Sequence, residues 1–508
     1  GNINERWPMM ARKNENLTAA CTRSQMLHVL VGALLLCRVN GQAASHLKVS
    51  LANQCDVAFT WSIPSERSQE TDLKEVHLSP NGGDAKVVRS TLQSTWLNRT
   101  WLRATVTLED ARRYDVKVGG LATTLTLPAC MTNTSSGRAG GSGTVGSSQI
   151  AVVGELGPGP NSSSVLSRMS KLDFETTLHL GDMAKSLAKA GPKALEFMEM
   201  LQPTTSKMPF MTLPGDLEEL EIYQLLFKRG VPWYSFTVDH VKFIVLWTGA
   251  VVDLGAATPK WSSHQAAAAK QLQWLEKELE SANTMEARAL RPWIIVAGHR
   301  PLYCSVLRPT CSSEASRLRS VLEPLFVKYA VDLYFSSGVH AYERSFRVLN
   351  GSVCNMEGNA ACGPVHLVNG DAGDPPLKYV DLPARFTAQR HPGLPGYGEL
   401  IVNATTLQYR QLDAISGLVS DQLLLTKKIV ELPKDEENFL EAVGWLAFAT
   451  ALATGTCGFV KWVHADGLKR RNEALRHLRT EIAVLSGLPI KAHHEAEFLV
   501  DNDAHGLH

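Results

Sequence analysis

Five short elements of this 508-residue chain set a carboxylate or an imidazole beside a glycine: Gly154-Glu155, Gly181-Asp182, Gly215-Asp216, Gly298-His299 and Gly338-Val339-His340. Glycine lets the backbone turn sharply, so that the next side chain can project into a cleft. Carboxylates gathered with imidazoles form a donor set for divalent metals of intermediate softness. One Gly-Asp pair is an ordinary turn, but here each element follows an apolar run, at 150–153, 177–180, 209–213, 293–297 and 331–335. A further run covers 241–247, and helical segments lie between the runs. The clearest helix is 262–281, where serines cap a polyalanine stretch and Leu272, Leu275 and Leu279 share a face. The alternation predicts an α/β domain over 150–426, and open α/β sheets place their ligands just beyond strand ends.

The order of these elements resembles the purple acid phosphatases of the calcineurin-like metallophosphoesterases. The resemblance rests above all on Val296-Ala297-Gly298-His299-Arg300-Pro301-Leu302-Tyr303-Cys304-Ser305 and Gly338-Val339-His340-Ala341-Tyr342-Glu343-Arg344. Trp233-Tyr234-Ser235-Phe236 and Pro364-Val365-His366-Leu367-Val368 add to it. It implies a four-layer α/β/β/α sandwich that holds iron together with zinc, manganese or a second iron. Phosphate monoesters would be hydrolysed there by metal-activated hydroxide. Carried onto this chain, the resemblance makes Glu155, Asp182, Asp216, His299 and His340 the candidate metal ligands.

The departures from the family pattern carry as much information. Glu155 stands where the family has aspartate, and Lys185 where it has the iron-binding tyrosine. Asp216-Leu217-Glu218 replaces an Asn-His-Glu element, so Leu217 occupies the place of a histidine that contacts substrate. Gly338 replaces the first histidine of a Gly-His-x-His element. With Lys185 intruding, the remaining ligand positions sum to minus two, against minus three for the family set. The expectation is at most one tightly held divalent ion, zinc or manganese, and no tyrosinate–iron colour. Loss of an acid catalyst at Leu217 alone costs about 10²–10⁴-fold in rate. The reading is therefore a phosphatase of much reduced activity. Its alternative is an inactive pseudophosphatase whose ectodomain binds a phosphorylated ligand or a protein partner. Each position also has a plain structural reading: Glu155 as a loop carboxylate paired with Lys185, Asp182 as the cap of a helix from Met183, and Asp216 as the cap of one starting near Leu217. Tyr342, Glu343 and Arg344 read as loop-holding residues, and His179, His240, His264, His366 and His391 match no ligand position.

Ahead of this domain, β runs at 47–51, 57–63, 101–108 and 115–118 predict a small antiparallel sandwich over 45–130. The resemblance makes it fibronectin-type. A Gly/Ser-rich linker follows at 131–149. Residues 1–8 precede Met9 and Met10 and are set aside as upstream sequence. Arg12 and Lys13, an apolar run at 27–37 and small residues at 41–44 then read as a secretory signal. Near the other end, 442–460 carries no charged residue, and the span read over 442–463 is long enough to cross a bilayer core of about 30 Å. An acidic stretch at 427–441 precedes the uncharged run, and Lys461, Lys469, Arg470 and Arg471 follow it. That asymmetry places the 464–508 tail in the cytosol and the body outside or in a lumen, at the cell surface or in an endosomal or lysosomal membrane. Six cysteines, Cys55, Cys130, Cys304, Cys311, Cys354 and Cys362, form an even set on the outer side. Cys304 with Cys311 and Cys354 with Cys362 make short loops, leaving Cys55 with Cys130. Glycosylation sequons at Asn98, Asn133, Asn161, Asn350 and Asn403 all lie on the same side of the span. Lys+Arg 51 against Asp+Glu 50 gives a net charge of +1, which excludes a strongly electrostatic nucleic-acid binder.

Overall fold

The computed structural model describes residues 44–428 apart from 53–55, 81–82, 109–112, 129–146, 184–190, 228–230, 255–261, 355–361, 374–376 and 392–394. The signal, most of the linker, Lys185, Cys55, Cys130, Asn133, the span and the tail lie outside the described residues. Among those described, no helix is long and apolar enough to cross a membrane.

The described residues form four sheets. The first two come from β1 (Ser45–Leu51), β2 (Asp56–Pro64), β3 (Glu75–Pro80), β4 (Lys86–Arg89), β5 (Thr91–Trp96), β6 (Arg99–Thr107), β7 (Arg113–Val118) and β8 (Leu121–Thr126). Their orders are β1-β2-β6-β5 and β4-β3-β7-β8, antiparallel throughout. Strand β7 shows why they pair face to face: Tyr114, Val116 and Val118 are buried while the residues between them are exposed, the period-two signature of a half-buried strand. Neighbouring β6 turns Leu102 into this core and Trp101 outward to the helices of the next domain. Strand β1 is clasped there, with Leu47 N–H donating to Gln202 Oε1 at 3.1 Å and Thr205 Oγ1 donating to the Leu47 carbonyl at 2.8 Å.

The third sheet runs β11-β10-β9-β20-β21-β22, from β9 (Ser148–Val153), β10 (Thr176–His179), β11 (Phe210–Thr212), β20 (Gly396–Val402), β21 (Thr406–Asp413) and β22 (Val419–Thr426). The fourth runs β12-β13-β14-β15-β18-β16-β17 with β19 on β16, from β12 (Tyr234–Val238), β13 (Val241–Leu246), β14 (Trp293–Gly298), β15 (Leu333–Ser336), β16 (Tyr342–Leu349), β17 (Ser352–Val353), β18 (Val365–Asn369) and β19 (Thr387–His391). Central strands are apolar on both faces because each face meets a different layer. Ile150 and Val152 enter the core shared with Phe243, Val245, Ile295 and Ala297 of the other sheet. Ala151 and Val153 instead meet the helices Pro160–Met169, Pro192–Thr205 and Leu220–Phe227. Ile244, Ile294 and Val296 likewise face away, toward Ser262–Ala282 and Ser313–Lys328. Layers of helix, sheet, sheet and helix result.

Register then fixes where the site falls. In the parallel trio Val153 stands opposite His179, and His179 opposite Thr212. Strands β14 and β15 pair Ala297 with Phe335. The segments carrying Glu155, Asp182, Asp216, His299 and His340 therefore leave neighbouring strand ends.

Candidate metal centre

The first carboxylates leave their strands through turns that few side chains tolerate. Glu155 and Asp182 hold φ of 60° and 55°, in the left-handed region that costs a residue with a side chain about 1–2 kcal/mol. Gly215 packs against the second: a β-carbon there would strike the Asp182 carboxylate and lie 2.6 Å from Glu218 Oε2. Strain of this kind is held where side-chain placement matters.

One ligand atom each from Glu155, Asp182 and His299 lies within 4.8 Å of the other two, and all three residues are buried. His299 Nε2 stands 3.4 Å from Asp182 Oδ2 and 3.9 Å from Asp216 Oδ2, while its Nδ1 is 3.9 Å from Glu155 Oε1. The ring is fixed from behind, with Nδ1 2.9 Å from the Leu180 carbonyl and 3.0 Å from Ser337 Oγ. An imidazole whose Nδ1–H donates to a carbonyl directs Nε2 the other way, as metal-ligating histidines do. Among the described residues that buried Nε2 meets only carboxylates, Asp182 the nearer and Asp216 beyond it. Charged oxygens crowded round one buried nitrogen are the companions a cation needs. Glu155, Asp182 and His299 fit one divalent ion of the zinc or manganese type.

The other sequence-predicted positions gather around this group. His340 Nε2 lies 3.4 Å from Glu155 Oε2. Asp216 is turned partly aside: its Oδ1 accepts from Arg300 Nε at 2.8 Å, and Arg300 also binds Glu314. It caps no helix at Leu217, since the helix begins at Leu220. Asp182 Oδ1 instead accepts the Leu217 N–H at 3.0 Å. Gly338 has φ of 71°, and its N–H donates to Glu155 Oε1 at 2.9 Å. The longer glutamate thus reaches the backbone at the very position that lacks an imidazole.

Charges at the centre are set by competition. Burial, His299 and the hydrogen bonds from His299, Glu218 and the Leu217 amide act together on Asp182. Burial opposes its ionisation, but the rest prevail and hold its carboxyl well below the usual range. Burial likewise opposes charge on His299, yet Asp182, Asp216 and Glu155 hold it well above the ordinary imidazole value. Burial raises Glu155, against the pull of His340 and His299. Glu218 is pushed well up by burial and by the charge of Asp182. Its oxygens also accept the N–H groups of Met183 at 2.7 Å and Gly215 at 2.8 Å.

Glu218, Arg300 and Ser337 are the supporting residues that sequence reasoning did not single out. Arg300 adjoins His299 in the chain, but Asp216 is 84 residues away, and no local pattern announces the pair. Tyr342 and Arg344 both bind Asp421, while Glu343 accepts from the Ser305 N–H and Thr387 Oγ1, as expected of loop-holding residues. Cys304–Cys311 and Cys354–Cys362 are disulfides. Asn98 and Asn350 are exposed at turns, whereas Asn161 Nδ2 donates to the Gly373 carbonyl and Asn403 Oδ1 accepts from Thr405 and Thr406.

Strand ends that gather carboxylates and an imidazole able to hold a metal are the pattern of a metallophosphoesterase, and comparison with known proteins agrees. A family model described as calcineurin-like phosphoesterase matches residues 149–342. A second, described as iron/zinc purple acid phosphatase-like protein C, matches 363–422. Acid phosphatase type 7 of Mus musculus is 32% identical over 315 residues, covering 56% of this chain and 68% of the relative. The probable purple acid phosphatase 20 of Arabidopsis thaliana is 28% identical over 308 residues, covering 56% and 66%. A purple acid phosphatase from yellow lupin (Lupinus luteus) seeds shares the fold, with a TM-score of 0.58 at 16% identity over 77% of each chain. The chain belongs to the purple acid phosphatase family of calcineurin-like phosphoesterases, a family that implies two metal ions.

Proposed function

We propose that this chain is a membrane-anchored phosphomonoesterase of the secretory pathway that holds at most one tight divalent ion, zinc or manganese, and turns over far more slowly than relatives with a full ligand set. The observation that carries the reading is the convergence of one buried ligand atom each from Glu155, Asp182 and His299 within 4.8 Å of one another. These three would hold the ion, with His340 beside Glu155. A divalent ion there supplies Lewis-acid polarisation of a phosphoryl oxygen and a more acidic water. The chain's own residues prepare the place. Leu180 and Ser337 orient His299, Glu218 gathers the Met183 and Gly215 amides beside Asp182, and the Gly338 N–H holds Glu155. The fibronectin-type assignment of 45–130, the signal at 1–44, the linker at 131–149, the span at 442–463 and the cytosolic tail belong to the same proposal.

A second reading, a pseudophosphatase that binds a phosphorylated ligand or protein partner, is favoured by the commitment of Asp216 to Arg300 and by an apolar Leu217 beside Asp182. Elemental analysis of the purified chain, with turnover on a generic aryl phosphate, separates the readings. About one zinc or manganese per chain with slow hydrolysis supports the first. Phosphate binding without turnover selects the second. Two ions per chain, one ferric, with turnover in the ordinary range of about 1–10³ s⁻¹ would refute both.

A further inference from the structure

We infer that Gln411 is a positioning residue for the metal centre: its side-chain amide clamps the turn Asn369-Gly370-Asp371 against Glu155 and against the backbone that carries His340. The role presupposes the one-ion reading and assigns the group that seats Glu155 within it. Asn369 ends β18, and the turn holds a further Gly-Asp pair beside those read from the sequence. Among the described residues, the group able to hold a metal ion does not include Asp371.

Gly370 is the point of contact. A β-carbon there would strike the Val339 carbonyl and lie 3.3 Å from Glu155 Cγ, so a bare backbone is needed to come this close to both. Its N–H donates to the Ala341 carbonyl at 3.0 Å. Val339 and Ala341 flank His340, whose Nε2 lies 3.4 Å from Glu155 Oε2. One turn therefore meets Glu155 and both neighbours of His340. Gly154, next to Glu155, is as close: a β-carbon there would lie 2.6 Å from the Asn369 carbonyl oxygen.

Gln411 holds that turn from β21, where it is fully buried. Its Oε1 accepts from Asn369 Nδ2 at 2.8 Å and from the Tyr409 hydroxyl, and its Nε2 donates to both Asp371 oxygens at 3.1 Å. A single amide thus grips the residues on either side of Gly370. The β21–β22 ladder is irregular at this point, with Gln411 opposite Asp421 and Leu412 opposite Val419, and such bulges re-aim side chains beside active sites. Gly396 leaves room for the clamp, since a β-carbon there would lie 2.7 Å from Gln411 Nε2 and from Asp371 Oδ2. An apolar side chain could fill the same volume, but only an amide both accepts from Asn369 and donates to Asp371. Without it those buried partners are left unpaired, and the turn is free to draw back from Glu155.

The test is the zinc affinity of the full chain, read by competition with a chromophoric chelator. Gln411→Leu should weaken it about 10–100-fold, the usual effect of a residue that orients a ligand. Leu125→Ala, in the core of the N-terminal sandwich, removes stability far from the centre and should leave the affinity within about twofold. Gln411→Glu sets two carboxylates against each other and should weaken zinc as Gln411→Leu does. Adding Asp371→Asn reverses donor and acceptor in the clamp and should bring most of the affinity back. Gly370→Ala reaches Glu155 without touching the amide and should weaken zinc as well. If Gln411→Leu does not fold, the Gln411→Glu pair decides. Affinity unchanged in Gln411→Glu or in Gly370→Ala, or not recovered in the double variant, overturns the clamp and leaves the one-ion reading standing. A loss in Leu125→Ala equal to that in the Gln411 variants overturns it too, because stability alone would then set the affinity. No zinc bound by the parent chain shows instead that the one-ion reading is wrong, and the clamp falls with it.

Discussion

On one side of His299, Glu155 and Asp182 are buried at positive φ, and the Glu155 N–H donates to the Gly181 carbonyl. On the other, Asp216 has a side chain 26% exposed and is paired with Arg300, Leu217 is apolar, and position 338 has no side chain. The backbone strain and the shortest imidazole–carboxylate approach, His299 Nε2 to Asp182 Oδ2, belong to the first side. Strain persists only where the surrounding structure over-determines it, so the closed side is the one still built around a cation. The open side has lost its imidazole and its neutral ligand, and its remaining carboxylate is balanced by a guanidinium. The two sides are therefore expected to respond differently to substitution.

Removal of a ligand on the closed side should have the largest effect. Asp182→Asn is expected to weaken zinc binding by more than about 100-fold, beyond the 10–100-fold typical of residues that only orient ligands. Competition with a chromophoric chelator measures it. An unchanged affinity would show that the closed side holds no ion. On the open side, Arg300→Gln leaves Asp216 and Glu314 facing each other without their cation. For a partly buried pair the expected loss is about 2–4 kcal/mol, read from denaturant midpoints. Adding Asp216→Asn should recover part of it, because the charge left uncompensated is then removed. If the double variant is no more stable than the single one, Arg300 does not act through Asp216.

Much of this architecture was legible in the sequence because central strands must be apolar on both faces. The runs at 150–153, 241–247 and 293–297 correspond to β9, β13 and β14 for that reason. Strands β4 and β5 were not legible, since β4 is largely exposed and offers little hydrophobic signal. Strands β19 to β22 carry polar residues; β20 to β22 pair in chain order as hairpins, while β19 and β20 are placed by the distant β16 and β9. In the site, glycine beside a titratable residue located the strand ends. It did not show that Glu155 itself adopts a positive φ, which depends on the packing around it. Nor could it show the Asp216–Arg300 pair or the bond from the Met183 N–H to Glu218, because both arise only when loops from different strands meet.

Two smaller effects sharpen the contrast. Behind the closed side, Gly370 packs on the Glu155 side chain, and next to it Asp371 is buried, accepting from Gln411 Nε2 at 3.1 Å. Burial raises its carboxyl to about 7, with Asp413 adding to the rise and the hydrogen bonds from its own backbone and Gln411 opposing it. An unfolded aspartate loses its proton near 3.9, so the folded state binds more protons above that value. Stability is then highest below about pH 4 and declines as pH rises toward 7. Between pH 5 and pH 7 the decline is about 2–3 kcal/mol, at about 1.4 kcal/mol per unit. Asp371→Asn should flatten it, and a variant with the same pH profile as the parent would place the titration elsewhere.

Gly338→His, which restores an imidazole to the open side, should have the smallest effect and the most diagnostic one. The new residue must adopt φ of 71°, and its β-carbon would lie 3.0 Å from the His299 carbonyl oxygen. The left-handed backbone alone costs about 1–2 kcal/mol. The bond from the residue 338 N–H to Glu155 depends on the same turn, so relaxing the strain by shifting the backbone would loosen the closed side. The expected result is a loss of about 1–2 kcal/mol in unfolding free energy with zinc content still near one per chain, since Asp216 stays with Arg300 whether or not an imidazole returns. A rise to two ions per chain with no loss of stability would mean that the open side is a complete second site lacking only this ring, and the asymmetry drawn here would not hold.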